Sequence, residues 1–128
     1  MKKILVCDDQ KMLRKVLKES IVQMRDDVEI VEAEDGNGCL HQIEEYEIDL
    51  VFLDVEMPNL SGFEALEMLR KKEADGTGRQ RIVMVTALDT DQDIIKGWSL
   101  DADGYISKPY DVDEIREALE EHLGPVSV

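Results

Sequence analysis

The sequence predicts an α/β domain: a five-stranded parallel sheet in the order 2-1-3-4-5, with helices on both faces (a doubly wound, flavodoxin-like fold). Three observations predict it. Short apolar runs alternate with helical patterns five times along the chain, the signature of consecutive βα units. Most of those runs are apolar at every position rather than at every second one, as in strands covered on both faces. The chain has 128 residues, which suits one domain with one proper core. Right-handed crossovers then leave few topologies, of which 2-1-3-4-5 fits best.

Ile4-Leu5-Val6-Cys7 is the first apolar run. From Gln10 to about Arg25, Leu13, Val16, Leu17, Ile21 and Met24 recur at three- and four-residue spacing, which predicts an amphipathic helix. Val28 to Ala33 reads as a second strand, and the acids alternating within it place it near an edge. Asn37 to about Tyr46 reads as a short helix through Leu40, Ile43 and Tyr46. Gly38 softens it at a cost of about 1 kcal/mol against alanine. Leu50-Val51-Phe52-Leu53 is the most apolar run and so the central strand.

Ser61 or Gly62 to Lys72 reads as a helix with Leu66 and Leu69 on one face. Ala74 to Gln80 holds Gly76 and Gly78 and reads as an exposed loop. Ile82-Val83-Met84-Val85 is a buried strand, and Thr90 caps a helix to about Leu100 with Asp93 in its first turn. Gly104 to Ser107 is a short fifth strand. Asp111 caps the last helix, whose inner face carries Val112, Ile115, Leu119 and Leu123, and Gly124-Pro125 stops it. Residues 1–123 thus form the domain and residues 124–128 a tail.

Thirty acidic residues against fifteen basic ones give a net charge of −15. Such a surface repels phosphate backbones and anionic lipid, which argues against direct nucleic-acid or membrane binding. No stretch approaches the roughly 18 apolar residues of a membrane span. The opening apolar run is too short for a signal peptide. Cys7 and Cys39 are too few for a zinc site and read as small buried residues in a reducing compartment. These features predict a soluble, cytoplasmic protein.

In this topology the site lies beyond the carboxyl ends of the strands, where strand order reverses. The residues just past the first and third strands are Asp8, Asp9 and Asp54. Three converging carboxylates repel unless a cation or a proton compensates. Oxygen-only ligands suit a hard divalent ion, with Mg²⁺ the natural candidate. Thr86 and Lys108 follow the fourth and fifth strands. Any one of these residues is ordinary, since an Asp-Asp pair after a strand is commonly a turn or a helix cap. Their conjunction at one sheet edge points to phosphoryl transfer, where positioning and charge neutralisation do most of the catalysis. A carboxylate can itself be the nucleophile.

These residues carry a resemblance to the receiver domain of two-component response regulators, from residue 2 to about residue 123. Its carriers are Ile4 through Asp9, Asp54-Val55-Glu56-Met57-Pro58 with Gly62, Thr86-Ala87, and Asp103 through Pro109. The resemblance implies that Asp54 accepts a phosphoryl group from a histidine kinase, a phosphotransfer protein or a small phosphodonor. It implies that Asp9, Asp54 and the Glu56 carbonyl ligate Mg²⁺, with Asp8 acting through water. Lys108 would contact the phosphoryl oxygens, and the Lys108-Pro109 bond would be cis. Thr86 would move toward the phosphoryl group and Tyr105 would turn inward. The fourth helix, fifth strand and fifth helix would form the surface read by a downstream effector or output domain.

This chain departs from the family pattern at Leu100, where alanine is frequent, and at Asp101, which replaces a turn glycine and predicts a strained turn. Leu88, beside the acceptor, is expected to shield the acyl phosphate from water. Trp98, the only tryptophan, reads either as core or as an anchor on the outward face of the fourth helix. His41 and His122 read as surface residues without a role. Two other functions stay open: a Mg²⁺-dependent aspartyl-phosphate phosphatase, with Glu56 at the proton-donor offset, and a receiver-like module that is never phosphorylated. The tail fits both a stand-alone receiver and part of a longer regulator.

Overall fold

The computed structural model describes residues 1–76, 78–88 and 90–126. Thr77 in the expected loop, and Ser127 and Val128 of the expected tail, lie outside the described residues. The strands are β1 (Lys2–Cys7), β2 (Val28–Ala33), β3 (Leu50–Leu53), β4 (Ile82–Thr86) and β5 (Gly104–Ser107). They pair in parallel in the order β2-β1-β3-β4-β5, as the sequence predicts. The helices between them are α1 (Lys11–Met24), α2 (Gly36–Glu45), α3 (Gly62–Glu73), α4 (Asp91–Ser99) and α5 (Val112–Leu123).

The continuous apolar runs divide their side chains between two cores, because successive residues of a strand point to opposite faces. Ile4, Val6, Phe52, Val83 and Val85 pack against Leu17 and Ile21 of α1 and Ile115 and Leu119 of α5. Leu5, Cys7, Val51, Leu53 and Met84 pack against Cys39 of α2 and Phe63, Leu66 and Leu69 of α3. Both cysteines are buried and reduced.

Local chemistry sets where the helices begin. Ser61 and Asp111 each form a capping box, with Glu64 and Glu114 respectively. Thr90 Oγ1 accepts from the Asp93 N–H. Asp35 Oδ1 accepts from the Gly38 N–H, so α2 starts at Gly36, one residue earlier than expected. Gly36 is obligatory there, since a Cβ would lie 2.4 Å from the Leu60 carbonyl oxygen.

The structure corrects two side-chain expectations and decides a third. Val112 is exposed although it shares a helical stripe with Ile115 and Leu119. It opens α5 beyond the strand ends, where it lines an apolar groove with the equally exposed Leu13 and Val16 of α1. His122 is no surface residue: its side chain is 3% exposed. Its Nδ1 lies 3.2 Å from Arg81 Nη1 and accepts that hydrogen bond. Trp98, by contrast, is half exposed and not part of the core.

The turn from α4 to β5 has the strained backbone expected of it. Asp101 adopts φ 70°, the left-handed region. Arg70 Nε donates to the Asp101 carbonyl at 3.0 Å, and Arg79 pairs with the Asp101 and Asp103 carboxylates. The hydrogen bond from Arg79 holds the Asp101 carboxyl below its usual pKa. The stabilisation is therefore present above the usual carboxylate range and is lost as pH falls through the depressed value. Asp101→Ala keeps the strain without the ion pair and should lower the unfolding free energy by about 1 kcal/mol in urea denaturation. Asp101→Gly removes both and should stay within about 0.5 kcal/mol of wild type.

Candidate functional site

The reversal of strand order between β1 and β3 leaves a crevice at their carboxyl ends. Register places Cys7 beside Leu53 and Thr86 beside Ser107. The polar residues that follow or end these strands therefore emerge along one edge of the sheet. Asp8 and Asp54 are each only 6% exposed, Thr86 is fully buried and Asp9 is exposed. One carboxylate oxygen from each of Asp8, Asp9 and Asp54 lies within 4.8 Å of the others.

Backbone hydrogen bonds fix both buried acids. The Asp54 N–H donates to the Cys7 carbonyl at 3.0 Å, and the Asp8 N–H donates to that of Ala33 at 3.1 Å. Asp8 Oδ1 accepts from the Gln10 N–H at 2.9 Å, and Asp54 Oδ1 accepts from the Glu56 N–H at 3.2 Å. Glu56 thus meets Asp54 through its backbone, while its side chain is exposed. Gly62 lets α3 begin against the loop after β3: a Cβ there would lie 2.1 Å from the Asp54 carbonyl oxygen.

Lys108 closes the cluster from the β5 side. Its backbone N–H donates to the Thr86 carbonyl at 2.8 Å, and the Lys108-Pro109 bond is cis. Its ammonium donates to Asp8 Oδ2 at 2.6 Å and Asp54 Oδ2 at 3.0 Å. Burial pulls the Lys108 ammonium down, but the hydrogen bonds and charges of Asp8 and Asp54 outweigh it and hold its pKa above the ordinary lysine value. One ammonium against three carboxylates leaves negative charge in excess. The donor set is all hard oxygen, so the cluster of Asp8, Asp9 and Asp54 fits a divalent ion of the magnesium class.

Thr86 and Tyr105 meet at a residue between them. Thr86 Oγ1 accepts from the Leu88 N–H at 3.2 Å, and the Tyr105 hydroxyl donates to the Leu88 carbonyl. Gly97 of α4 leaves room for the tyrosine ring, since a Cβ there would lie 3.0 Å from Tyr105 Cδ2. Of the predicted site residues, Asp8, Asp9, Asp54 and Lys108 form one cluster, Thr86 lies at the same edge and Tyr105 sits behind it.

Sequence reasoning missed Arg14. It is 6% exposed on α1, and its Nη1 donates to the Asp8 carbonyl at 2.7 Å. Its Nε donates to Glu32 at 3.3 Å. The available signal was a charged residue on the same stripe as Leu17 and Ile21.

Comparison with known proteins identifies the family and the fold. The family model for the response regulator receiver domain matches residues 4–120. The nitrate/nitrite response regulator protein NarL of Escherichia coli K12 is 33% identical over 91% of this chain and 52% of its own. The chain therefore spans about half the length of that relative. The chemotaxis protein CheY of Halobacterium salinarum is 31% identical over 95% of this chain and 97% of its own. Among solved structures, the response regulator TrrA of Thermotoga maritima, in complex with Mg²⁺ and BeF, superposes with a TM-score of 0.79 at 36% identity. That match covers 94% of this chain and 98% of TrrA.

Lys108→Met leaves two buried carboxylates without their ammonium partner and should lower the unfolding free energy by about 2 kcal/mol at neutral pH. Because the Lys108 pKa is raised in the folded state, its contribution is complete below the ordinary lysine value and is lost as pH rises through the raised one. Urea titrations of both proteins at neutral and strongly alkaline pH should show the gap narrowing.

Proposed function

The chain belongs to the response regulator receiver family, and from that premise we propose that it is a phosphorylation switch in which Asp54 is the acceptor. The observation that carries this reading is the Asp54 carboxylate, buried at the sheet edge between the Lys108 ammonium and two further acids. The donor is the phosphohistidine of a histidine kinase or phosphotransfer protein. An Asp54 carboxylate oxygen attacks phosphorus, the P–N bond breaks, and its electron pair leaves on the imidazole nitrogen, which takes up a proton. Lys108 holds the carboxylate in place and then neutralises charge on the transferred group. A bound Mg²⁺ would offset the remaining phosphoryl charge. The chain turns over no external substrate; it catalyses only its own modification and its reversal.

The relay starts at Thr86. Its hydroxyl turns from the Leu88 N–H to donate to a phosphoryl oxygen, which frees one end of a peptide segment that Tyr105 holds at the other. Thr86 and Tyr105 both hold the Leu88 peptide of the β4–α4 loop, so a change at Thr86 reaches α4 and β5. A coupling of about 1–3 kcal/mol suffices to alter partner affinity severalfold. The reading surface is α4, β5 and α5, offered to an output domain or to a separate effector protein. Among the described residues no helix is long and apolar enough to cross a membrane.

Acetyl phosphate with MgCl₂ should add one phosphoryl mass to the wild type and none to Asp54→Asn, as read by intact mass spectrometry. An unmodified wild type would favour a purely binding module, and steady hydrolysis of a phosphomonoester would favour the phosphatase. In the same assay Leu88→Asn should lose its phosphate severalfold faster than wild type, because the leucine no longer shields the acyl phosphate. An unchanged rate rejects that role for Leu88.

A further inference from the structure

The reading surface has two unlike walls, and together they specify a partner. On α4, Gly97 faces the Tyr105 ring, and Lys96 places its ammonium 5.0 Å from the Phe63 ring of α3. Successive helical residues are about 100° apart, so Trp98 lies on the opposite flank of Gly97 from Lys96. That flank is turned away from α3. Ile95 precedes Trp98 by three positions on the same stripe, and the two are 65% and 51% exposed. On the other side, Glu114, Glu117 and Glu121 of α5 line a shallow depression with Tyr105. Between these walls β5 ends the sheet, and among the described residues no strand pairs with its outer edge.

We propose that this trough binds a cationic amphipathic segment of the effector, in which one or two large apolar side chains cover Ile95 and Trp98 while lysines or arginines face the α5 glutamates. Charge complementarity selects this occupant: Tyr105, which lines the acid-walled depression, also packs against Gly97 of the helix that carries the exposed apolar stripe, and the chain as a whole carries −15. An acidic segment would meet repulsion on approach. A purely apolar one would leave the glutamates facing it without partners. Arg81, a basic group near the lower end of α5, is engaged by the His122 ring. The inference rests on α4, β5 and α5 being the output face, and it specifies the chemistry of what docks there.

Trp98 is the only tryptophan, so its fluorescence reports the site directly. The probe is a soluble peptide with leucines at helical spacing and lysines elsewhere, compared with a twin carrying glutamates in place of the lysines. The lysine peptide should shift Trp98 emission to the blue with saturable binding, and the glutamate twin should leave it unchanged. Glu117→Gln with Glu121→Gln should weaken binding about fivefold. Glu45→Gln with Glu47→Gln, which removes the same charge elsewhere, should leave it within about twofold. Trp98→Ala, followed by anisotropy of the labelled peptide, should also weaken it. Equal loss from both glutamine pairs, or no saturable binding with or without acetyl phosphate, overturns the inference. Intact mass scores Asp54 modification separately, so a failed switch and a failed docking site are distinguished.

Discussion

The constraint on which the rest depends is electrostatic: three carboxylates from distant parts of the chain share one edge of a sheet. Asp8 and Asp54 are almost out of water there, and Asp9 stands over them. Like charges at this spacing cost free energy in a partly dehydrated site. The fold offsets part of the cost with Lys108, which bonds both buried acids, and with backbone N–H groups of Gln10 and Glu56. Negative charge remains in excess, and a donor set of hard oxygens with excess negative charge fits a divalent cation.

The surrounding structure keeps this arrangement from relaxing. Among the described residues no buried side-chain polar atom lacks a hydrogen-bond partner. Arg14 holds the Asp8 backbone from beneath, and Gly62 lets α3 close on Asp54 with no room to spare. The rigid side ends at Thr86. Beyond it, the Leu88 peptide is held at its N–H by Thr86 and at its carbonyl by Tyr105.

The fold and the clustered acids were legible in the sequence for physical reasons. Strands covered on both faces must be apolar throughout, so the runs at Ile4, Leu50 and Ile82 announced the central sheet. Parallel topology then obliged Asp8, Asp54 and Lys108 to meet. What pattern could not give was direction at the margins. Val112 and Ile115 share a helical stripe, yet only Ile115 has sheet beneath it. His122 lies among acids in sequence, but its ring turns inward to Arg81. Arg14 escaped notice because a guanidinium on an apolar stripe looks like noise until a carbonyl is found at its end. The arginines that brace Asp101 come from α3 and the loop after it, a juxtaposition that only tertiary structure reveals.

Charge excess at the acid cluster is the central claim, and Asp9→Asn tests it most directly. Urea unfolding of wild type and variant should be compared without divalent ions and then with saturating Mg²⁺. Without the ion, the variant should be the more stable, by about 0.5–1 kcal/mol, because one repelling charge is gone. With the ion, the wild type should overtake it, because only the complete set holds the metal tightly. The same ranking in both conditions would contradict the account.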